Sequence, residues 1–182
     1  AEMRKIPGVD MSSGSLAQGL SVALGMSLAA RVTGRDYHVY VIMSDAEMQE
    51  GQVWEAFMAC SHYRTGNITA ILDYNKIQTL DQVAKIMAIE PLEEKFKAFG
   101  WNVLEADGHD MARLIQALQA ARGNAISPPT MIICHTIKGK GIAFMENSIA
   151  WHSNVLSESD YQRAKKELAQ ACSCVRVPEM HG

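Results

Sequence analysis

Short apolar runs alternate with helical repeats along this chain. The apolar runs cover residues 39–43, 68–72, 101–105 and 130–134, and each predicts a β-strand. The last run is almost continuously apolar, which is typical of a strand covered on both faces. Because strands alternate with helices throughout, the pattern predicts a three-layer α/β/α domain with a mostly parallel sheet.

Helical spacing of apolar residues predicts five helices around these strands. They cover residues 15–33, 49–64, 91–99, 110–121 and 157–171. Gly34 and Gly100 should end the first and third helices, while Asp110 and Ser157 are suitable N-caps for the last two. Residues 79–89 have no clear pattern, and irregular connections of that length are usually functional or mobile.

Two polar side chains follow the first two predicted strands. Asp45 and Asn75 come after residues 39–43 and 68–72. In open parallel sheets, ligands bind beyond the carboxyl ends of the strands. A carboxylate and an amide oxygen suit Mg²⁺, which usually shares its coordination shell with phosphate. The ordinary alternative is that Asp45 caps a helix and Asn75 forms a turn.

Composition is that of a globular protein and excludes several classes. The 182 residues are 48% hydrophobic and 20% charged, which suits one domain. A net charge of −3 with scattered basic residues gives no surface for nucleic acid. No apolar run is long enough for a membrane span or a signal peptide. The cysteines, which match no zinc pattern, are expected to be reduced thiols in a cytoplasmic protein; they are Cys60, Cys134, Cys172 and Cys174.

The segments that carry Asp45 and Asn75 resemble the thiamine diphosphate motif of transketolases. Residues 45–56 and 67–78 match it, and the family's step from its Asp to its Asn is the 30 residues found here. Other ordered segments resemble the same family: residues 7–21, 99–103, 107–110, 135–141 and 151–152. The resemblance covers nearly the whole chain and implies the thiamine diphosphate-binding fold.

The resemblance implies a cofactor, a metal and a reaction. Thiamine diphosphate would be anchored by Mg²⁺, for which Ca²⁺ or Mn²⁺ can substitute. The implied metal ligands are Asp45, Asn75 and the main-chain oxygen of Ile77. The implied reaction transfers a two-carbon ketol unit from a ketose phosphate to an aldose phosphate.

Further site residues follow from the same resemblance. The residues implied to contact the cofactor are Gly14, Leu16, Ser44, Asp45, Ala46, Glu47, Asn75, Ile77, Lys138 and His152. His152 would also reach the substrate's hydroxyl groups, and with Glu50 and Glu55 it carries the implied catalytic roles. The two glutamates would lie in an acidic network at a subunit interface. Alternatively they are simply solvated, since residues five apart on a helix do not share a face well.

Two glycine-containing segments have both a structural and a functional interpretation. Gly14, Gly19 and Gly25 indicate either close helix packing or backbone approach to a flat ligand. The basic turn at residues 138–141 is either a solvated loop or a loop that binds phosphate and closes over it. The resemblance favours the functional interpretation of that turn.

The chain departs from the family at two places. It has Ser44-Asp45-Ala46 where relatives have Gly-Asp-Gly, and alanine lacks the positive-φ freedom of glycine. Diphosphate affinity is therefore open to question. After His152 the family continues with Gly and Ala-Pro, whereas residues 153–156 here are Ser-Asn-Val-Leu.

The resemblance also implies a partner. Family cofactor domains begin well before the segment that matches Ala1, and the pyrimidine-binding domain lies elsewhere. We therefore expect residues 1–182 to form one incomplete domain, with an arm at 1–13 and a tail at 172–182. Its exposed apolar surface should meet a C-terminal transketolase subunit, in a homodimer or heterotetramer.

Two other functions stay open from the sequence. One is another thiamine diphosphate enzyme, such as a deoxyxylulose-phosphate synthase or a dehydrogenase E1 component. The other is a non-catalytic module that keeps the fold, which Ala46 favours.

Overall fold

The four predicted strands form a single parallel sheet. The computed structural model describes residues 2–123 and 126–173, with side chains as far as residue 170. The strands are β1 (Val39–Ser44), β2 (Ile68–Tyr74), β3 (Asn102–Asp107) and β4 (Thr130–His135). Their order across the sheet is β1-β2-β4-β3, and every neighbouring pair is parallel. The prediction of a mostly parallel α/β sheet is confirmed.

Helices connect these strands and cover the sheet. Within the described ranges they are α1 (Gln18–Thr33), α2 (Gly51–His62), α3 (Val83–Ile86), α4 (Leu92–Ala98), α5 (Met111–Ala121) and α6 (Glu158–Ser173). Two short 3₁₀ helices lie at Asp45–Gln49 and Ile149–His152. The predicted helix ends at Gly34, Asp110 and Ser157 are confirmed. Gly34 has φ 64°, the Asp110 carboxylate accepts two main-chain N–H groups, and Ser157 Oγ accepts the N–H of Asp160 at 3.1 Å.

Two helix boundaries differ from the sequence prediction. The first helix begins at Gln18 instead of Ser15, because Ala17 has a left-handed φ of 69° and cannot continue a helix from residue 16. The predicted helix over 49–64 is interrupted, since Glu50 is extended (φ −89°, ψ 123°) between the 3₁₀ helix and α2. Glu50 therefore precedes α2, while Glu55 lies within it.

The side chains of the strands point alternately to two helical layers. In β4, Met131 and Ile133 face one core, while Ile132 and Cys134 face the other. The first core is covered by α1, α2 and α4, and the second by α5. This gives the expected three layers.

Five aromatic rings hold α2, α4 and β3 together on the first face. They are Trp54, Phe57, Phe96, Phe99 and Trp101, with paired ring centroids 4.7–6.3 Å apart. The indole N–H of Trp101 also donates to the main-chain oxygen of Phe57 at 3.1 Å. Such pairs add about 0.5–1.5 kcal/mol each beyond their buried area. The packing fixes the strands whose ends carry the site.

The face of the sheet on the α5 side is only partly covered by helices. Tyr40 is 49% exposed and Ile42 is 76% exposed, although Val41 between them is buried. The α5 side of β1 therefore presents apolar side chains to solvent. This agrees with the expectation of exposed apolar surface.

The cysteines and the helices bear on two further expectations. Cys60 and Cys134 are free and buried, and burial raises the pKa of Cys60 to about 11 and that of Cys134 in the same direction. The side chains of Cys172 and Cys174 lie outside the described part of the chain. No helix in the described ranges has both the length and the apolar character needed to span a bilayer.

Candidate functional site

The carboxyl ends of all four strands meet at one edge of the sheet. In the strand register, Ser44 is level with Asp73, Asp73 with Cys134, and Asp107 with His135. The segments that follow these strands therefore begin side by side. Asp45 and Asn75 both lie at this edge, where ligands bind in parallel sheets.

A single contact brings the three predicted metal-binding residues together. Asp45 is 1% exposed, and its Oδ2 accepts the main-chain N–H of Lys76 at 2.5 Å. Lys76 lies between Asn75 and Ile77 and has a left-handed φ of 67°. The carboxylate of Asp45 is therefore in direct contact with the turn that carries the other two predicted ligands.

The environment of Asp45 disfavours its charge. Burial raises the pKa of its carboxyl group, although N–H donors at Lys76 and Ala46 act in the opposite direction. The charge of Asp73 adds to the rise in this pKa, while that of Lys138 opposes it. A cation placed beside Asp45 would favour the ionised form.

Asn75 forms a turn and keeps the capacity to bind a cation. Its Oδ1 accepts the N–H of Ile77 at 3.0 Å, which is an Asx turn, and its Nδ2 donates to Asp73 at 3.5 Å. An amide oxygen has two lone pairs, so this turn leaves one for a ligand. The structural and functional interpretations of Asn75 are therefore compatible. Asp45 does not cap the following helix, because Ser44 occupies the N-cap position.

Ala46 fits the backbone at the position where relatives have glycine. It lies in the 3₁₀ helix Asp45–Gln49 and is not among the described residues with positive φ. This turn therefore does not require positive φ at position 46, while the effect of Ala46 on diphosphate affinity stays a prediction.

Glu47 holds the turn after β1 against the start of α1. Its Oε2 accepts the N–H of Ser44 at 2.7 Å, and its Oε1 accepts the N–H of Ala17 at 3.0 Å. Both oxygens therefore bind the main chain. The exposed residues Gly14 and Leu16 lie just before this anchored position.

The segment after β4 borders a cavity of about 400 Å³. Its lining residues are Asp73, Asn75, His109, Thr136, Ile137, Lys138, Gly139 and Lys140. Gly139 has φ 75°, and a Cβ there would lie 2.6 Å from the main-chain oxygen of Met145. The turn therefore requires glycine for its backbone conformation and its packing against Met145, while phosphate binding by this turn stays a prediction.

His152 lies on the 3₁₀ helix Ile149–His152 and is exposed. Its Nε2 is hydrogen-bonded to Thr79 Oγ1 at 3.1 Å. Partial burial and the charge of Lys138 lower the pKa of this imidazole. Because Lys138 also affects the pKa of Asp45, its ammonium group acts on both predicted cofactor residues.

A second cavity, of about 490 Å³, was not foreseen from the sequence. It shares Asn75 and Thr136 with the first and is also lined by Tyr74, Glu90 and residues of the 79–89 segment. The Tyr74 hydroxyl donates to Glu90. Burial, followed by Glu90 and Asp45, raises the pKa of that hydroxyl. The sequence feature that could have indicated this cavity is the position of Tyr74 directly before Asn75.

The two predicted catalytic glutamates lie outside both cavities described at the strand ends. Glu50 and Glu55 are exposed, at the start of α2 and within it. Neither lines the cavities of about 400 and 490 Å³. Their interface role stays a prediction.

Comparison with known proteins identifies the family. The family described as "Transketolase, thiamine diphosphate binding domain" matches residues 1–179. The chain is 41% identical over 167 residues to the 6-deoxy-6-sulfo-D-fructose transketolase subunit SqwG of Clostridium sp. (strain MSTE9), covering 92% of this chain and 60% of that protein. It is 36% identical to an apulose-4-phosphate transketolase subunit of Phocaeicola vulgatus, covering 91% of this chain and 59% of that protein.

A solved structure supports the same assignment. The transketolase of Campylobacter jejuni superposes with a TM-score of 0.82 and 29% identity, covering 89% of this chain and 26% of that one. The chain spans about 60% of the length of the two curated relatives. From the strand-end geometry and these matches, we conclude that the chain belongs to the transketolase family and corresponds to its thiamine diphosphate-binding domain.

Proposed function

We propose that this chain is the diphosphate-binding part of a thiamine diphosphate- and Mg²⁺-dependent transketolase. The reaction would move a two-carbon ketol unit from a ketose phosphate to an aldose phosphate. The observation that carries the proposal is the 2.5 Å contact between Asp45 Oδ2 and the N–H of Lys76, which unites the predicted ligands. The names of the two curated relatives, both transketolase subunits, support it.

The donor set at this edge fits a hard cation. Asp45 would supply a carboxylate, Asn75 an amide oxygen and Ile77 a main-chain oxygen, and Mg²⁺ binds oxygen ligands of this kind. Ca²⁺ or Mn²⁺ would suit the same donors. Since Asp45 is buried and held by a main-chain N–H, its side chain is positioned before any ligand arrives.

The remaining residues would position and neutralise the cofactor. When bound, thiamine diphosphate supplies the electron sink for breaking the bond beside the ketose carbonyl. Lys138 would balance diphosphate charge, and Ser44 and Ala46 would form the turn around it. Gly14 and Leu16 would present main-chain groups to the aminopyrimidine ring.

His152 is suited to hydrogen bonding with the diphosphate or a substrate hydroxyl. Partial burial and the charge of Lys138 lower its pKa, which favours the neutral ring. A neutral imidazole has one donor and one acceptor nitrogen, and Thr79 already binds Nε2. Nδ1 is then the nitrogen that would face a ligand.

We also propose that a second subunit completes the site. The partner would carry the pyrimidine-binding domain, in a homodimer or heterotetramer. The chain spans only about 60% of the two curated relatives, and both are named as subunits. Glu50 and Glu55 are exposed near the start of α2, where an interface could cover them.

Calorimetry tests this proposal directly. Thiamine diphosphate with Mg²⁺ is titrated into the chain alone and into the chain mixed with a separately produced pyrimidine-domain transketolase subunit. We expect binding that appears or tightens with the partner and is lost in Asp45→Ala. The matched control is Asp81→Asn, which alters an exposed carboxylate paired with Lys85. Absence of binding in both settings would contradict the proposal and favour a non-catalytic module.

A further inference from the structure

The turn between β3 and α5 makes a contact that the proposed function does not use. Asp107, Gly108, His109 and Asp110 form this turn, and Asp110 caps α5. Asp107 Oδ1 accepts the N–H of His109 at 2.9 Å. A Cβ on Gly108 would lie 2.4 Å from Thr136 Cγ2, so the turn packs closely against the end of β4. The turn therefore holds the His109 ring at the base of the segment that follows β4.

The His109 ring binds the main chain immediately before Lys138. The N–H of Ile137 donates to His109 Nε2 at 2.8 Å. Because Nε2 accepts this bond, it carries no proton, and the proton of the neutral ring lies on Nδ1. An imidazolium has no acceptor nitrogen, so protonation of the ring removes the bond.

Charged groups from several elements surround this ring. Carboxylates come from the turn, from β2 and from the loop after β4, and two ammonium groups come from that loop: Asp107, Asp110, Asp73, Glu146, Lys138 and Lys140. Glu146 interacts electrostatically with His109, and it also accepts the N–H of Gly141 at 3.0 Å. The ring therefore contacts a loop that is also held by the Lys140–Glu146 ion pair and by main-chain bonds, among them Asn147 N–H to the Lys138 oxygen at 2.9 Å.

We infer that His109 is a positioning residue whose bond to Ile137, made only while the imidazole is neutral, adds to the main-chain bonds that hold the Ile137–Lys138 segment beside Asp45. Lys138 influences the pKa of both Asp45 and His152, so movement of this segment alters the charge felt at both residues. The effect on cofactor binding rests on the proposed function. The contact between His109 and Ile137 does not.

The contact itself is tested without cofactor. In the ¹⁵N-labelled full chain, imidazole nitrogen shifts report the His109 tautomer, and the Ile137 amide is followed between about pH 5.5 and 8. We expect the Nδ1–H tautomer at pH 8 and an Ile137 amide shift with the same midpoint as the His109 ring. In His109→Gln, whose amide oxygen accepts without titrating, the amide shift should lose this pH dependence.

A matched control changes a different exposed histidine. His62 lies at the end of α2, and His62→Gln should leave the Ile137 titration unchanged. An Nε2–H tautomer at pH 8, or an Ile137 amide that does not follow the ring, would overturn the inference.

The consequence for the site is tested by cofactor titration at both pH values. With Mg²⁺ and the pyrimidine-domain subunit present, the wild-type chain should lose about fivefold to tenfold more thiamine diphosphate affinity on acidification than His109→Gln does. Comparing the two chains cancels the contributions of Asp45 and His152. Equal losses would contradict the positioning role. Absence of binding in both chains would contradict the proposed function, while the amide titration would still decide whether the contact between His109 and Ile137 forms.

Discussion

The two halves of the sheet's carboxyl edge are held in different ways. In the β1–β2 half, Asp45 is 1% exposed and is fixed by a main-chain N–H at 2.5 Å. In the β3–β4 half, exposed side chains hold the loop, through His109 at 2.8 Å and the Lys140–Glu146 ion pair at 3.6 Å. The half that would bind the metal is therefore held by a buried contact, whereas in the half that would face phosphate, groups that can titrate add to the main-chain bonds of the loop.

The halves are joined by a side-chain contact. The Thr136 hydroxyl donates to the carboxylate of Asp73, and Asp73 also accepts from Asn75. Hydrogen bonds of this kind contribute about 0.5–1.5 kcal/mol each. The Thr136–Asp73 bond adds to the main-chain pairing of β2 with β4, which already joins the halves in one continuous sheet.

We expect the largest effect from replacing Asp45, in the β1–β2 half of the edge. We expect Asp45→Asn to weaken Mg²⁺-dependent thiamine diphosphate binding by about 100-fold or more, since one charged ligand is lost. Because burial raises the folded-state pKa of Asp45 above its ordinary 3.8, the unliganded wild-type chain binds more protons when folded. The stability of the folded wild-type chain should therefore fall as pH rises from the ordinary carboxyl pKa of 3.8 through the raised pKa of Asp45.

The effect of Asp45 on stability is measured by the pH dependence of unfolding. In Asp45→Asn, denaturant titrations between about pH 3 and 7 should lose the part of the slope due to Asp45. Asp81→Asn should change the slope in the opposite direction, because a main-chain N–H and Lys85 lower the pKa of Asp81. The same sign in both variants would contradict the assignment.

A methyl group at position 108 tests the packing of the second half. Gly108→Ala should destabilise the chain by about 1–3 kcal/mol, because its Cβ would meet Thr136 Cγ2 at 2.4 Å and the His135 oxygen at 3.2 Å. Gly25→Ala is the control, since that exposed helical position is open and should gain about 0.5–1 kcal/mol. Urea unfolding of both variants measures the difference. Equal effects would show that the turn is not tightly packed.

The left-handed residue beside Asp45 predicts a smaller effect. Lys76 has φ 67°, and its ammonium group lies 5.1 Å from the centre of the Tyr74 ring. Lys76→Gly and Lys76→Ala both lose that contact, but only glycine relieves the backbone. The glycine variant should therefore be more stable than the alanine variant by about 1 kcal/mol in thermal or urea unfolding. No difference would show that the turn relaxes.

Removing the ion pair of the second half should have the smallest effect on stability. Lys140 and Glu146 are about half and one-third exposed, so their attraction is screened by solvent. Lys140→Ala should leave the midpoint of thermal unfolding unchanged within error at pH 7. A clear fall in that midpoint would indicate that ionic contacts hold this loop more firmly than the geometry suggests.

The sequence predicted the strands well because each is a local apolar run. Residues 39–43 and 68–72 correspond to β1 and β2 within two residues, and periodicity also located α5. The order β1-β2-β4-β3 could not be predicted, because pairing between strands depends on contacts between distant segments. The start of α1 was predicted too early, because nothing in the local sequence indicates that Ala17 has a left-handed conformation.

For the site, the sequence located the residues but not their contacts. The spacing of Asp45 and Asn75 predicted a common edge, which the strand register confirms. Residues 107–110 were identified from the sequence only by their resemblance to the family and by Asp110 as an N-cap. The contact of His109 with Ile137 joins residues 28 positions apart, and no periodic pattern reports such a contact.

The carboxylate of Glu47 has a consequence for movement within the molecule. It joins the main chain at Ser44 to the main chain at Ala17, which are separated by 27 residues in sequence. The turn after β1 and the start of α1 should therefore move together. A displacement of the turn after β1 would carry the main chain at Ala17 with it, and with Ala17 the start of α1.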